Sequence, residues 1–367
     1  MRPFKYGCVV SGENFCPRPE LEKQLREFAL AGQNLVIHGP RRMGKTSLIT
    51  HTIGQMKGMR LIYTDLYAIK TLSDFCSRVM KGISKATSEV SFLKKALQLA
   101  FRLRPVMAVD PDGSTSISVD TRAAEEPESL GAVMSTLEKM TQDEKSCVVF
   151  DEFQDILNLD NARGILAEMR STIQFQENTA YFFTGSIRNA MMSIFDDMDT
   201  PFYKSALAFT VEEIEPRAFS AFIASRFAKG KRRIEDAVIQ RILQFADGVS
   251  GDVQELCEAL WETTEENDEI TLVDFPKALE LIFSRELGGY ETVVERLTPS
   301  QSTVLKTLAI EKTIQPYSIE FMTKVGKTAS TIRRVLDKLT ADRVIFQKKS
   351  AYHFSNPFFR EWLARKQ

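Results

Sequence analysis

Residues Gly39-Pro40-Arg41-Arg42-Met43-Gly44-Lys45-Thr46 spell G-x-x-x-x-G-K-T, the spacing of a loop that grips phosphate. Its glycines let backbone N–H groups turn inward around phosphate oxygens. A helix opening directly after the loop adds the partial positive charge of its N-terminus. Lys45 is expected to reach the β- and γ-phosphates of a nucleoside triphosphate. The Thr46 hydroxyl is expected to ligate Mg²⁺, with waters and phosphate oxygens completing the shell. The whole run from Gly39 through Ser47 is assigned to nucleotide binding. Arg41 and Arg42 are too long to line a cradle that backbone N–H groups already fill. They are expected to point outward, toward solvent, an acidic neighbour or a partner surface.

A second constellation supplies what hydrolysis would need. The apolar run "CVVFDEF" delivers Asp151 and Glu152 at the C-terminal end of a strand, the edge at which parallel α/β sheets hold ligands. Asp151 is expected to hold the Mg²⁺, directly or through water. Glu152 is expected to polarise the attacking water. The next strand ends in Thr184-Gly185-Ser186. Ser186, with Thr184 as the alternative, is expected to hold the lytic water or sense the γ-phosphate; Ser186 in its bland role would cap the following helix. A phosphate-loop kinase needs no water-activating Glu here, the "SGGQ" signature of a transporter ATPase is absent, and no N-K-x-D guanine motif is evident.

These residues need a frame. Apolar runs at 34–39, 60–67, 146–153, 180–186 and 206–211 read as strands, with helical stretches at 71–86, 128–142 and 161–176 between them. That alternation predicts an α/β fold with a parallel sheet covered on both faces. Residues 104–120 alternate around Asp110-Pro111-Asp112-Gly113 and predict a β-hairpin insertion. After Pro216 the strands stop, and 216–286 read as about four helices. "ELGGY" (286–290) reads as a linker. Thr298 as N-cap and Pro299 at the first helical position open a last module of three helices and a hairpin, the order of a winged helix-turn-helix. Its third helix carries Ile332, Val335, Leu336 and Leu339 as a buried stripe.

Net charge is −1, yet residues 296–367 hold 14 Lys and Arg against 5 Asp and Glu. A module at +9 on a body at −10 suits a polyanionic partner. Lys327, Arg333 and Arg334 near the third helix, with Lys348 and Lys349 at the wing tip, are the candidate DNA contacts. The other reading packs this module on the sheet domain and turns it toward a protein partner or a second copy. The basic run 225–233 reads as a solvated turn. Five cysteines without a C-x-x-C pair point to a reducing cytoplasm. No apolar run is long enough to span a membrane.

With these residues in place, the chain resembles the AAA+ ATPases. It is most similar to the archaeal and bacterial ATPase group related to the STAND signalling NTPases. The stretches that carry the likeness are "GENFCPRPELEKQLREFALAGQNLVIHGPRRMGKTSLI", "VVFDEFQDI", "TPFYKSALAFTVEEIEPRAF" and "YHFSNPFFREWL". The resemblance implies an AAA+ core over 1–215, a helical lid over 216–289 and a winged helix over 290–367. It favours ATP and ADP over guanine nucleotides. It implies an ATP-hydrolysing molecular switch in which Mg²⁺-dependent hydrolysis moves the lid and winged helix. The alternative is a DNA-binding regulator or initiator-like protein whose ATP site is structural or regulatory. Two departures stand out. Gln254 occupies the place where origin-recognition-type lids carry a γ-phosphate-sensing Arg, and where the family often has an Arg soon after its proline-leucine-tyrosine segment, "PFYKS" places Lys204 nearby. Arg170 and Arg188 are weak candidates for an arginine finger. Slow or partner-dependent hydrolysis follows from these departures.

Overall fold

Short runs of Val, Ile, Leu and Phe make the strands of the first unit. A computed structural model describes residues 2–87, 104–109, 115–120, 127–186, 188–311, 315–348 and 351–366. The turn at Asp110–Gly113 and Lys349, with the side chains of Arg188 and Lys348, lie outside the described residues. The chain divides into two compact units, one of residues 8–215 and one of residues 1–7 with 216–367.

In the first unit, β1 (Leu35–His38), β2 (Arg60–Asp65), β5 (Ser146–Asp151), β6 (Thr179–Gly185) and β7 (Leu207–Thr210) form one parallel sheet in the order β2-β5-β6-β1-β7. Every residue of β5 and β6 is buried, as expected when helices cover both faces. The helices are α1 (Pro19–Leu30), α2 (Lys45–Gly54), α3 (Leu72–Lys85), α4 (Pro127–Thr141), α5 (Ala162–Ile173) and α6 (Arg188–Phe195). The rings of Phe150, Phe153, Tyr181, Phe183, Phe195 and Phe202 pack against one another on and beside the two central strands. That cluster makes the carboxyl ends of β5 and β6 a rigid platform. β3 (Arg104–Val109) and β4 (Thr115–Asp120) pair antiparallel, giving the expected hairpin.

The second unit holds α7 (Pro216–Ala228), α8 (Asp236–Phe245), α9 (Ser250–Glu262) and α10 (Asp274–Glu295), with β8 (Arg233–Ile234) pairing β9 (Glu269–Ile270). It continues as α11 (Pro299–Ile310), α12 (Ile319–Val325), α13 (Ala329–Ala341), β10 (Ile345–Lys348), β11 (Ala351–Phe354) and α14 (Pro357–Arg365). Thr298 and Gln301 form a reciprocal capping box at α11. The stripe Ile332, Val335, Leu336 and Leu339 is buried as its spacing predicts.

The expected linker at 286–290 is not one. α10 runs through Gly288 and Gly289 without a break. Each glycine costs a helix about 1 kcal/mol relative to Ala. Packing outweighs it: Phe283 and Tyr290 are buried on α10, and the Tyr290 ring lies 5.3 Å from both Phe359 and Trp362 of α14. The basic run 225–233 is also more ordered than a solvated turn. Arg226 is buried and donates twice to Pro3 O, at 3.0 and 2.7 Å. Arg232 stacks 3.7 Å over the Trp261 ring, and Lys231 pairs with Glu266. Phe4, 3% exposed, sits against Phe227 and Trp261. Arg2 bonds Glu258 and Glu262, which Arg285 also grips. Residues 2–7 thus form a strap built into the second unit. Among the described residues, no helix is long and apolar enough to cross a membrane.

Candidate active site

Three strand ends bring the candidate residues together. β1 ends at His38 and hands over to the phosphate loop, which feeds α2 at Lys45. Gly44 has φ 79° and Arg42 φ 64°, left-handed conformations that turn the loop back on itself. Arg41 and Arg42 are exposed, Met43 is buried beneath the loop, and Ser47 accepts from Val10 N at 3.1 Å. Lys45 is 6% exposed and donates to Gly39 O at 2.9 Å and Pro40 O at 3.1 Å. Burial lowers its pKa, while Glu152 and Asp151 act in the opposite sense.

Asp151 closes β5. Thr46 Oγ1 donates to Asp151 Oδ2 at 2.6 Å, so loop and acidic strand meet directly. Tyr63 OH, from β2, donates to the same oxygen at 2.7 Å. Thr184 Oγ1, from β6, donates to Oδ1, as does Glu152 N at 3.0 Å. Burial, then Asp151 beside it, pushes the Tyr63 phenol up.

Glu152 follows with φ 52° and leads into a 3-10 turn over Phe153–Asn158. Its Oε2 accepts from Ser186 Oγ at 2.8 Å and from Gln154 Nε2 at 2.5 Å. Gln154 also reaches Asp155 Oδ1 at 3.3 Å, and Asp155 Oδ2 accepts from Ala68 N at 2.7 Å. A polar chain therefore ties Glu152 to the loop after β2. Thr184 and Ser186 take different partners: the first bonds Asp151, the second Glu152.

Sequence reading missed three members of this assembly. Tyr63 and Gln154 hold the acidic pair. Arg18, immediately before α1, donates to Met43 O at 2.6 Å and Glu212 O at 3.3 Å, pinning the phosphate loop from below. Burial lowers the Arg18 pKa to about 10. The one available signal was a polar residue inside an apolar pattern, Tyr63 in "RLIYTD" and Arg18 between two prolines. Arg170 is half-buried on α5, and Gln254 is 9% exposed on α9. Lys204 lies over the Tyr203 ring at 5.2 Å.

The donor set fits Mg²⁺. Thr46 and Asp151 are hard oxygen donors side by side, and no cluster of three or more His, Cys, Asp or Glu able to hold a metal occurs among the described residues. Such a site suits a cation that takes its remaining ligands from phosphate and water.

Comparison with solved structures returns the same architecture. The chain is similar to the Walker-type ATPase paby2304 of Pyrococcus abyssi, at 18% identity over 99% of each chain and a TM-score of 0.66. It is similar to the Aeropyrum pernix ORC1 protein in complex with DNA, at 12% identity over 96% of this chain and 94% of that one, TM-score 0.50. The ADP form of the Aeropyrum pernix ORC2 protein aligns at 13% identity over 99% of this chain and 96% of that one, TM-score 0.51. A family model described as "Probable winged helix domain" matches residues 288–365. Comparison with curated proteins finds no match. Identities this low bear on fold rather than on reaction. The fold is the one shared with the Walker-type ATPase and ORC structures, and residues 288–365 match a winged helix domain.

Proposed function

We propose that this chain binds ATP with Mg²⁺, hydrolyses it, and uses the nucleotide state to bias the placement of its lid and winged helix. One observation carries the reading: Thr46, Asp151, Glu152 and Ser186 are joined by direct hydrogen bonds across three neighbouring strand ends, with Lys45 buried beside Thr46 at the start of the same helix. Bound Mg²⁺ would neutralise developing charge on the phosphates. Thr46 and Asp151 would hold it. Lys45 exchanges its loop carbonyls for the phosphate oxygens. Glu152 polarises the attacking water, and Ser186 keeps its carboxylate aimed. Arg18 holds the loop in shape from beneath. A nucleotide shifts two arrangements only if it binds them differently. Gln254, in place of a charge-sensing Arg, argues for slow or partner-dependent turnover.

The Glu152→Gln variant tests this. ATP binding persists and turnover falls about 100-fold or more. Unchanged turnover would remove Glu152 as the base.

A second reading has its own observation. Lys327, Arg333 and Arg334 are all exposed around the start of α13, whose opposite stripe is buried. We infer that this face is the DNA-contacting one, in keeping with the DNA complex of the ORC1 neighbour. A mobility shift that weakens steeply with salt, and weakens further in Arg333→Ala, is expected. No shift at low salt would leave the protein-facing role, toward a partner or a second copy.

A further inference from the structure

We propose that the Tyr63 hydroxyl is a displaceable placeholder on Asp151, released when the cation is loaded, so that Tyr63 sets how much metal the site demands. The inference rests on the nucleotide reading above and deepens it.

A carboxylate offers about four lone-pair positions. On Asp151 all four have donors: Thr184 Oγ1 and Glu152 N on Oδ1, Thr46 Oγ1 and Tyr63 OH on Oδ2. A cation, or a water on a cation, needs one of them. The Oδ1 side is closed: Thr184 is fully buried, and the Glu152 N–H belongs to the backbone. Thr46 has no reason to leave. A hydroxyl that gives its proton to a carboxylate keeps two lone pairs for a cation. Tyr63 is different. It comes from β2, outside both motifs, and it is half-buried where Thr184 is sealed. Its bond can break by rotation of the phenol O–H, without moving the phosphate loop or the sheet. After it breaks, Asp151 keeps three donors, so no buried charge is stranded. Tyr63 is thus a positioning residue, holding the metal ligand in its loaded orientation beforehand and competing with the metal for it.

The test uses the full chain with a fluorescent non-hydrolysable ATP analogue. Binding is titrated with Mg²⁺ at fixed analogue, and free Mn²⁺ is followed in parallel by electron paramagnetic resonance. In Tyr63→Phe the half-saturating metal concentration falls roughly threefold to tenfold, the span of one charge-assisted hydrogen bond partly offset by solvation. Analogue binding in EDTA stays unchanged. A purely structural Tyr63 would instead lower the unfolding temperature and weaken binding in EDTA. Tyr63→Leu, which also lacks the hydroxyl, is expected to move in the same direction and serves if the Phe variant folds poorly. An unchanged or raised metal requirement in a wild type that does load metal and nucleotide overturns the placeholder role alone. A wild type whose analogue binding ignores metal overturns the site reading and this inference together.

Discussion

At Gly39 the missing side chain is a steric requirement. A Cβ built there would stand 2.8 Å from Val211 O, on the chain just past β7. Backbone cannot yield as a flexible side chain can, so Gly39→Ala must push the phosphate loop away from that strand. The expected result is a loss of about 1–3 kcal/mol in stability, read by thermal unfolding, with weaker nucleotide binding by titration. Such requirements are legible because local spacing encodes them: the loop glycines, Lys45 and Thr46 sit within eight consecutive residues. Tyr63 and Arg18 were not legible in that way. Their partners lie 88 and 25 residues away, and only the pairing of β2 with β5, or the approach of α1 to the loop, brings them together. Register of that kind is a product of packing, and no local pattern states it.

At the scale of elements, α3 shows what a cap contributes. Thr71 accepts from Asp74 N at 3.0 Å, and Asp74 Oδ2 accepts from Lys70 N at 2.9 Å and Thr71 N at 3.1 Å. The Lys70 bond is the foremost cause that holds the Asp74 carboxyl below its ordinary value of 3.8. A carboxyl lowered in the folded state stabilises above its unfolded pKa, and that contribution disappears as pH falls through the lower folded value. Asp74→Ala is therefore expected to cost about 0.5–1 kcal/mol at pH 7 in chemical denaturation, with the difference shrinking below about pH 4. A constant difference across that range would deny the carboxylate its part. The same element scale divides what sequence reveals from what it hides. Strands β5 and β6 were evident because continuous apolar runs have few other fates. The Gly-Gly pair at 288–289 was misleading because its local preference is real but small, and the rings of Tyr290, Phe359 and Trp362 outweigh it.

For the molecule as a whole, α10 matters most. It joins the helices that follow Pro216 to the winged helix domain in one rod of 22 residues. A Cβ at Gly288 would meet nothing within 4 Å, and one at Gly289 only Glu286 Oε2 at 4.0 Å. Gly288→Ala and Gly289→Ala should each stabilise the second unit by up to about 1 kcal/mol, seen as a raised unfolding midpoint. No gain would mean that the pair bends in solution after all. The helices of 216–286 and the winged helix are then expected to move as one body. The strap at residues 2–7 has a different bearing. It belongs with 216–366, so the chain passes between units at Gly7–Cys8 and again at Glu215–Pro216. In terms of architecture, the phosphate-loop unit is an insertion within its host. Two dyes, one near Phe4 and one near Arg365, would ride on the same body and stay blind to any motion of the other. Cys8 is exposed and lies on the far side of that first crossing, whereas Cys16, Cys76, Cys147 and Cys257 are buried. A single thiol-reactive dye there, paired with one near Arg365, has the vantage the two ends lack.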